Sequence, residues 1–320
     1  MSETYLALDL GGTKLLVGEV DNQGNILNHK RYSTGYVDQT TALGIIKNSI
    51  DDYIQTTGWA NGVPPVAMGV GLVGRIDNVN GVWHQIDISR TEPLPLAKEL
   101  SGIYQMPCYI DNDVKAATRA EKRWGFGKQS DDFIYINIGT GIAAGIVTGG
   151  NLIRGSHYNA GEVGHTHVGV SLGIECVCGR EDCVELIAAG VGFDTCAHLL
   201  AKSYSTSLPM PQDERVDVKK VFELYGKDSL CTILVDNAAK AIASLIMNLV
   251  RVSDPDTIIV GGGIVSSGFI LPFIEKNLNK HTMRFVSNGV KLTQLNPEFI
   301  GLLGAASIVC SPTASPRPSP

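Results

Sequence analysis

Three thiols and an imidazole crowd the stretch GEVGHTHVGVSLGIECVCGREDCVE at residues 161–185, where Cys176, Cys178 and Cys183 fall within eight positions downstream of His165. Thiolates and a neutral imidazole form the ligand set of a closed tetrahedral zinc site, because both suit a borderline-soft cation. Gly179 gives the backbone a tight turn between the second and third thiols. Burial of the cysteines as small apolar residues is the alternative. A bridge between Cys176 and Cys178 is disfavoured, since Cys-Val-Cys on a strand puts both thiols on one face in poor disulfide geometry. His167 competes with His165 for the fourth position, and spacing does not choose between them. Four protein ligands leave no position open for water, so the expected metal is structural. Glu162 and Glu185 flank the cluster. A knuckle holding two separate carboxylates would make a rigid polar substrate site.

Two further stretches could carry chemistry. Asp111-Asn112-Asp113 follows a short apolar run, Cys108–Ile110, and precedes an alanine-rich helical pattern, Val114–Trp124. Carboxylates at the mouth of a parallel strand are where α/β folds place reacting groups. An Asp there could accept a proton from a hydroxyl while the Asn holds the same substrate. N-capping explains one Asp or Asn before a helix, but it does not need three polar residues in a row. The second stretch, Asp9-Leu-Gly-Gly-Thr-Lys14, lies between the β-rich runs Tyr5–Leu10 and Leu15–Val20, with a hairpin turn at Asn22-Gln23-Gly24. A phosphate loop of the Walker type must open a helix, which this strand–turn–strand does not. Its backbone N–H groups can still approach phosphates, with Asp9 beside them for magnesium. A plain tight hairpin is the alternative.

These groups need a scaffold. Helical periodicity marks 41–57, 96–101, 190–204, 217–225 and 230–252, a helix from about Phe269 and a closing helix over 302–310. Strands are expected at 66–71, 133–138 and 257–260, with a hairpin over 146–153 about Gly149-Gly150. Glycines recur at strand ends, at Gly69, Gly71 and Gly74, at Gly139-Thr140-Gly141 and at Gly261–Gly263, either to seat a ligand or to pack closely. Residues 1–24 are echoed near 133–153 as strand, small turn with Thr, strand and Gly hairpin, which points to two related halves. Their two turns could clamp one polyphosphate.

Composition narrows the class. With 320 residues, 26 basic against 32 acidic and a net charge of -6, the chain carries no electrostatic footprint for nucleic acid or an anionic membrane. No apolar run is expected to reach the ~20 residues that span a bilayer. The start, MSETYLALDLGG, lacks the basic and long apolar regions of a secretory signal. Seven cysteines without a paired framework fit a reducing compartment, so a cytoplasmic location is expected. The proline- and serine-rich end, 311–320, is expected to be a disordered tail.

Taken together, DLGGTK (9–14), the GxxG loop (71–74), DND (111–113), IGTG (138–141), GEVGH (161–165), CVCGREDCVE (176–185), IIVGGG (258–263) and LLGAAS (302–307) resemble the motifs of the ROK (repressor, ORF, kinase) family of sugar kinases. That resemblance implies a two-lobed α/β actin-like ATPase (ribonuclease H-like) fold with the active-site cleft between lobes and a structural zinc knuckle in the larger one. Residues 1–115, completed by the C-terminal helix 301–312, would form the smaller lobe, 116–300 the larger lobe with the oligomer surface, and 313–320 the tail. The implied activity is ATP-dependent phosphorylation of a hexose or hexose derivative at its 6-hydroxyl, in the glucose, fructose and N-acetylhexosamine class. An amino sugar such as kanosamine or glucosamine is the alternative.

By the same resemblance, Asp113 would be the catalytic base. Gly71, Asn112, Glu162, His165 and Glu185 would bind the sugar. Gly11, Gly12, Thr13 and Lys14 would wrap the phosphates of ATP together with Thr140 and Gly141. Asp9 would orient Mg²⁺ through water, and Gly262 and Gly263 would meet the adenosine. Zn²⁺ would sit on His165, Cys176, Cys178 and Cys183, the family choosing His165 over His167. Members of the family usually form homodimers or homotetramers.

The segment where many members carry Pro-Asn-Leu and then Trp reads Trp83-His-Gln-Ile-Asp-Ile-Ser-Arg90 here, leaving Gln85, Asp87 or Arg90 to read the sugar. Repressors of the family carry an N-terminal helix-turn-helix, for which a first strand at about Tyr5 leaves no room. A non-catalytic sugar sensor is disfavoured by the presence of Asp113 and Asp9.

Overall fold

A computed structural model describes residues 3–86 and 89–310. Asp87 and the tail expected to be disordered lie outside the described residues. The chain begins with β1 (Thr4–Leu10), β2 (Lys14–Asp21), β3 (Ile26–Ser33), α1 (Gln39–Thr56), β4 (Ala67–Leu72), β5 (Arg75–Asp77) and β6 (Val82–Gln85). It continues through α2 (Leu96–Tyr104), β7 (Cys108–Asn112), α3 (Asp113–Trp124), β8 (Phe133–Ile138), β9 (Ile142–Thr148) and β10 (Asn151–Leu152). The remainder is α4 (Glu185–Ala188), α5 (Gly190–Leu200), α6 (Val218–Leu224), α7 (Ser229–Ser253), β11 (Thr257–Gly261), α8 (Leu271–Lys276), β12 (Val290–Leu292) and α9 (Ile300–Val309).

The chain divides into two compact units. One holds the chain up to Lys128, Arg154–Ala160 and the chain from Glu298; the other holds Gln129–Ile153 and Gly161–Pro297. Position 115, where a lobe boundary was expected, falls within α3 of the first unit.

In the first unit the sheet order is β3-β2-β1-β4-β7. β1, β2 and β3 are antiparallel, and β4 and β7 run parallel to β1. Leu6, Leu8 and Leu10 alternate onto one face and join Ala42, Ile46, Ile50, Leu96 and Leu100 of α1 and α2 in one apolar cluster. The other face is lined by small residues and carries α9. A Cβ on Gly69 would lie 2.0 Å from the Ala305 carbonyl oxygen, and one on Gly18 would lie 2.9 Å from Leu302 Cδ1. Gly304 lets α9 cross α3 just as closely, 2.9 Å from the Ala116 main chain. Gly69 is therefore a packing glycine and not a ligand contact.

The second unit repeats the plan with sheet order β10-β9-β8-β11-β12. Its first three strands are antiparallel, and β11 and β12 run parallel to β8. Strand for strand, this is the same order and direction as in the first unit, and it extends the echo visible in the sequence. The core is built on α7, whose Leu234, Ile242, Leu245, Ile246 and Leu249 are buried. By length and composition α7 could cross a bilayer, which overturns the expectation that no apolar run approaches that span. It is a core helix, because most of its apolar stretch is buried within the unit.

Other expectations shift locally. Cys176-Val-Cys178 is a turn and not a strand, because the Gly179 amide folds back to donate to the Cys176 carbonyl at 2.9 Å. α5 ends at Leu200 and not near Tyr204, and the helix expected from Phe269 starts at Leu271.

Packing at Gly69 and open space at Gly12 give contrasting expectations. Gly69→Ala should lower unfolding free energy by about 2–3 kcal/mol through overpacking against α9. Gly12→Ala, with nothing within 4 Å of its added methyl, should stay within about 0.5 kcal/mol of the parent. Urea denaturation followed by circular dichroism measures both.

Candidate active site

In the first unit, strand register sets three functional positions side by side. Asp9 of β1 pairs with Gly71 of β4, and Gly71 pairs with Asp111 of β7, at the C-terminal ends of three parallel strands. A Cβ on Gly71 would lie 3.8 Å from Asp9 Oδ1 and 3.9 Å from the Asp113 Cα, so the bare backbone of Gly71 lies beside the Asp9 carboxylate and the start of α3. Among the described residues, no donor reaches the Asp9 carboxylate. Burial pushes its pKa up from 3.8 to about 6. Its other oxygen rests on the first turn of α9, where a Cβ on Gly301 would lie 2.0 Å from Oδ2. The sequence reading missed Gly301, since only the folded chain brings it to Asp9.

The three members of Asp111-Asn112-Asp113 have different surroundings. Asn112 caps α3, its Oδ1 accepting from the Val114 and Lys115 amides at 3.1 Å, while its Nδ2 donates to the Gly74 carbonyl at 3.1 Å. Capping therefore takes up its oxygen. Asp111 is fully buried and paired with Arg154, which the sequence reading did not single out. Burial works to lower the Arg154 pKa, and the bond and charge of Asp111 outweigh it, holding the guanidinium above its ordinary value. Asp113 opens α3 in a half-buried position, and its Oδ1 accepts from the Val114 amide at 2.9 Å.

The DLGGTK stretch is a strand–turn–strand, closed by the Gly11 amide donating to the Lys14 carbonyl at 3.0 Å. Gly12, Thr13 and Lys14 are exposed, and Lys14 has no ion pair among the described residues. Exposed amides and an unpaired ammonium on one turn suit phosphate oxygens. Beside this turn lies a cavity of about 210 Å³, lined by Leu10, Val37, Val73, Trp83, Ile86 and Arg90 along with Gly11 and Gly12. Arg90 is tied to the wall, its Nη1 donating to the Val37 carbonyl at 2.9 Å and its guanidinium over the Tyr36 ring at 4.7 Å. Gln85 accepts from Arg75 at 3.4 Å.

In the second unit, Gly139-Thr140-Gly141 turns between β8 and β9 and is fastened to the start of α5, the Gly190 amide donating to the Gly139 carbonyl at 2.8 Å. Thr140 is exposed. Glu185 lies against this turn. Its Oε2 accepts from the Ile142 amide at 2.9 Å, and it would sit 2.4 Å from a Cβ on Gly141 and 3.2 Å from one on Gly164. The structure thus brings Thr140, Gly141, Gly164 and Glu185 together, one residue from His165. Glu162 is half-buried, and its carboxylate has no hydrogen-bond donor among the described residues. Gly262 packs on the carbonyl of Ile138, 2.4 Å from where its Cβ would be, whereas Gly263 faces open space.

His165, Cys176, Cys178 and Cys183 offer ligand atoms that all lie within 4.8 Å of one another. His165 Nδ1 is 3.4 Å from Cys176 Sγ, and the Cys178 and Cys183 sulfurs are 3.6 Å apart. Sulfurs sharing a tetrahedral zinc at ordinary Zn–S lengths stand about 3.8 Å apart, so the donor set fits the ion. His167 is engaged elsewhere, near Ser171 Oγ at 3.3 Å and accepting from the Gly169 amide at 3.3 Å. No cysteine of the chain is in a disulfide.

Two five-stranded sheets of identical order, with glycine turns and acids at their strand ends, define an α/β protein of the actin-like ATPase class. A ROK family glucokinase from Streptomyces griseus, solved with glucose and AMPPNP, is 28% identical and superposes with a TM-score of 0.73 over 95% of this chain and 98% of that one. A glucokinase of Thermotoga maritima is 28% identical over 95% of this chain and 96% of its own. An N-acetylmannosamine kinase of Haemophilus influenzae is 31% identical over 85% of each chain. The family model matches residues 5–311, and the chain belongs to the ROK family.

The raised Asp9 carboxyl has a signature in stability. Because its folded pKa lies above 3.8, the folded state binds the proton more tightly, and stability falls as pH rises toward and through 6. Asp9→Asn should therefore stabilise the fold at pH 7.5 by about 1–3 kcal/mol, and the gain should vanish as pH falls below about 4. Urea melts of both proteins across that range, without magnesium, measure it.

Proposed function

We propose that this chain is an ATP-dependent sugar kinase that moves the γ-phosphoryl group to the 6-hydroxyl of a hexose or hexose derivative, with Asp113 as general base. The observation that carries the reading is the bare backbone of Gly71 beside the Asp9 carboxylate and the Asp113 main chain, at the ends of three parallel strands. Family membership and the kinases among the relatives support it.

Phosphoryl transfer proceeds through a loose transition state with charge on the phosphoryl oxygens, so positioning and charge neutralisation dominate. Asp113 takes the proton of the attacking hydroxyl. The amides of Gly11, Gly12 and Thr13 and the ammonium of Lys14 are suited to hold phosphate oxygens, and so are Thr140 and Gly141. Glu162 and the Glu185 oxygen not bonded to Ile142 accept from sugar hydroxyls, and His165, with Nδ1 on the thiol side, donates from its Nε2–H. Asn112 contributes a remaining amide N–H, its oxygen being spent on the helix cap. Gly263 leaves room for the nucleoside. Asp9, a carboxylate without a donor, is suited to hold Mg²⁺ through water, and the ion when bound neutralises phosphate charge. His165, Cys176, Cys178 and Cys183 would hold zinc, which when bound would fix the loop that presents Glu162 and Glu185.

The cavity beside Gly11 and Gly12 favours a second reading of the substrate. Its described lining is apolar apart from Arg90 and carries no carboxylate to pair with an ammonium group. An N-acyl hexosamine, with its alkyl end on Trp83 and Ile86 and its carbonyl on Arg90, suits that wall better than kanosamine or glucosamine.

ADP release with ATP, magnesium and a panel of hexoses, hexosamines and N-acetylhexosamines tests the reading. Transfer to at least one sugar is expected. Sugar binding by calorimetry without ADP release on any would replace the kinase with a non-catalytic binder. Asp113→Asn should lower kcat by about 10²–10⁴-fold while leaving the sugar KM within a few-fold. Elemental analysis should find about one zinc per chain, and Cys178→Ser should lose it and raise the sugar KM more than it lowers kcat.

A further inference from the structure

Asp111 is the acid of the Asp111-Asn112-Asp113 run that the mechanism leaves unused. Both its oxygens are taken by one guanidinium, Arg154 Nη1 to Oδ1 at 2.8 Å and Nη2 to Oδ2 at 2.6 Å, with side chains 12% and 1% exposed. A second cation, Arg119 of α3, stands 3.5 Å from Oδ2. Neither is needed to cap α3, which Asn112 does. A two-toothed Arg–carboxylate pair fixes orientation as well as distance.

Arg154 arrives from outside the strands of its unit. Just after β10 the chain enters Arg154–Ala160, which belongs to the first unit, and it returns to the second at Gly161. This short loop closes on itself, the Ala160 amide donating to the Arg154 carbonyl at 3.2 Å, and it turns through positive φ at Gly155 (74°) and Tyr158 (61°). A non-glycine residue held at positive φ is strained unless its surroundings fix it. Here they do. Lys115 Nζ donates to the Tyr158 carbonyl at 3.2 Å, and the Tyr158 side chain bonds the Asp77 carboxylate of β5. Lys115 is 3% exposed. The loop therefore grips residue 111 on one side of Asp113 and residue 115 on the other.

We propose that the 154–160 loop is a clamp on the catalytic acid, and that Arg154 is a positioning residue acting on phosphoryl transfer through Asp113. The inference rests on the kinase reading. It adds that the geometry of the base is set by the grip on its two flanking positions.

Arg154→Lys keeps the charge and loses the fork. Its kcat should fall about 10²-fold, the cost of a small misplacement of a reacting group, with the sugar KM within a few-fold of the parent. The decisive readout is coupling. In an Asp113→Asn background, Arg154→Lys should lower the residual kcat by no more than about 2-fold, because the group it positions is gone. An unchanged kcat in Arg154→Lys overturns the clamp. So does a loss in the Asp113→Asn background equal to that in the parent, which would mark a structural role independent of the base. If Arg154→Lys fails to fold by circular dichroism, Lys115→Met removes the other grip and should lower kcat about 10-fold with the same non-additivity; an unchanged kcat there overturns the clamp. An unmodified protein that phosphorylates no sugar takes down the kinase reading and the clamp together.

Discussion

Two carboxylates on the strands that flank β4 are held away from water on opposite terms, and the site depends on the difference. A charge taken from water without a partner costs several kcal/mol or shifts its pKa to avoid the cost. Asp111 avoids it with a guanidinium on both oxygens. Asp9, facing it across Gly71, has no such relief, and its proton is held to about pH 6. At neutral pH that leaves a largely ionised acid with unspent hydrogen-bonding capacity at the mouth of three parallel strands. Such a group is a poor contributor to folding and a good one to cation binding. The paired acid is the reverse, and it belongs to the framework.

The same contrast explains what could be read from the chain before folding. Local signals carried the strand–turn–strand at Asp9–Lys14, the helix after Asp113 and the three clustered thiols, because each is a short-range matter of alternation, capping or spacing. Cys176–Cys178 was misread as a strand because Val between two cysteines alternates as a strand would, and only the fold shows Gly179 at φ 84° closing a turn. Long-range partners were out of reach. Arg154 lies 43 positions from Asp111, and nothing about an arginine after a hairpin announces an ion pair with β7. Gly301 sits at a helix start where glycine has many uses, and its reason is a carboxylate far away in sequence. Asn112 was legible in two ways, and the structure shows the capping role directly.

Duplication gives a frame for how the two units divide their labour. Their sheets share strand order and direction, so the turn after the first strand occurs twice, as Gly11–Lys14 and as Gly139–Gly141. What surrounds the two turns differs. The first exposes Gly12, Thr13 and Lys14, and its Thr13 carbonyl accepts from the Thr34 amide at 3.0 Å. The second is braced, its next amide bonded to Glu185 and its carbonyls accepting from Gly190 and Val191. Equal topology has thus been given different surroundings.

Glycine placement shows where the chain packs most closely. At Gly69, Gly74, Gly161, Gly164 and Gly262 an added Cβ would come within 2.5 Å of main-chain oxygen, so packing alone demands glycine there. At Gly12 and Gly263 the added atom would meet nothing within 4 Å, and neither backbone adopts positive φ. Glycine costs conformational entropy on folding, about 0.5–1 kcal/mol against alanine in regular structure. Gly44 and Gly102 have the same freedom inside α1 and α2, so open space alone does not mark a ligand position, and Gly12 and Gly263 differ from them in lying in turns that follow strands. Those two positions, one at the end of β1 and one just past β11, are the turns where a phosphate and a nucleoside were expected.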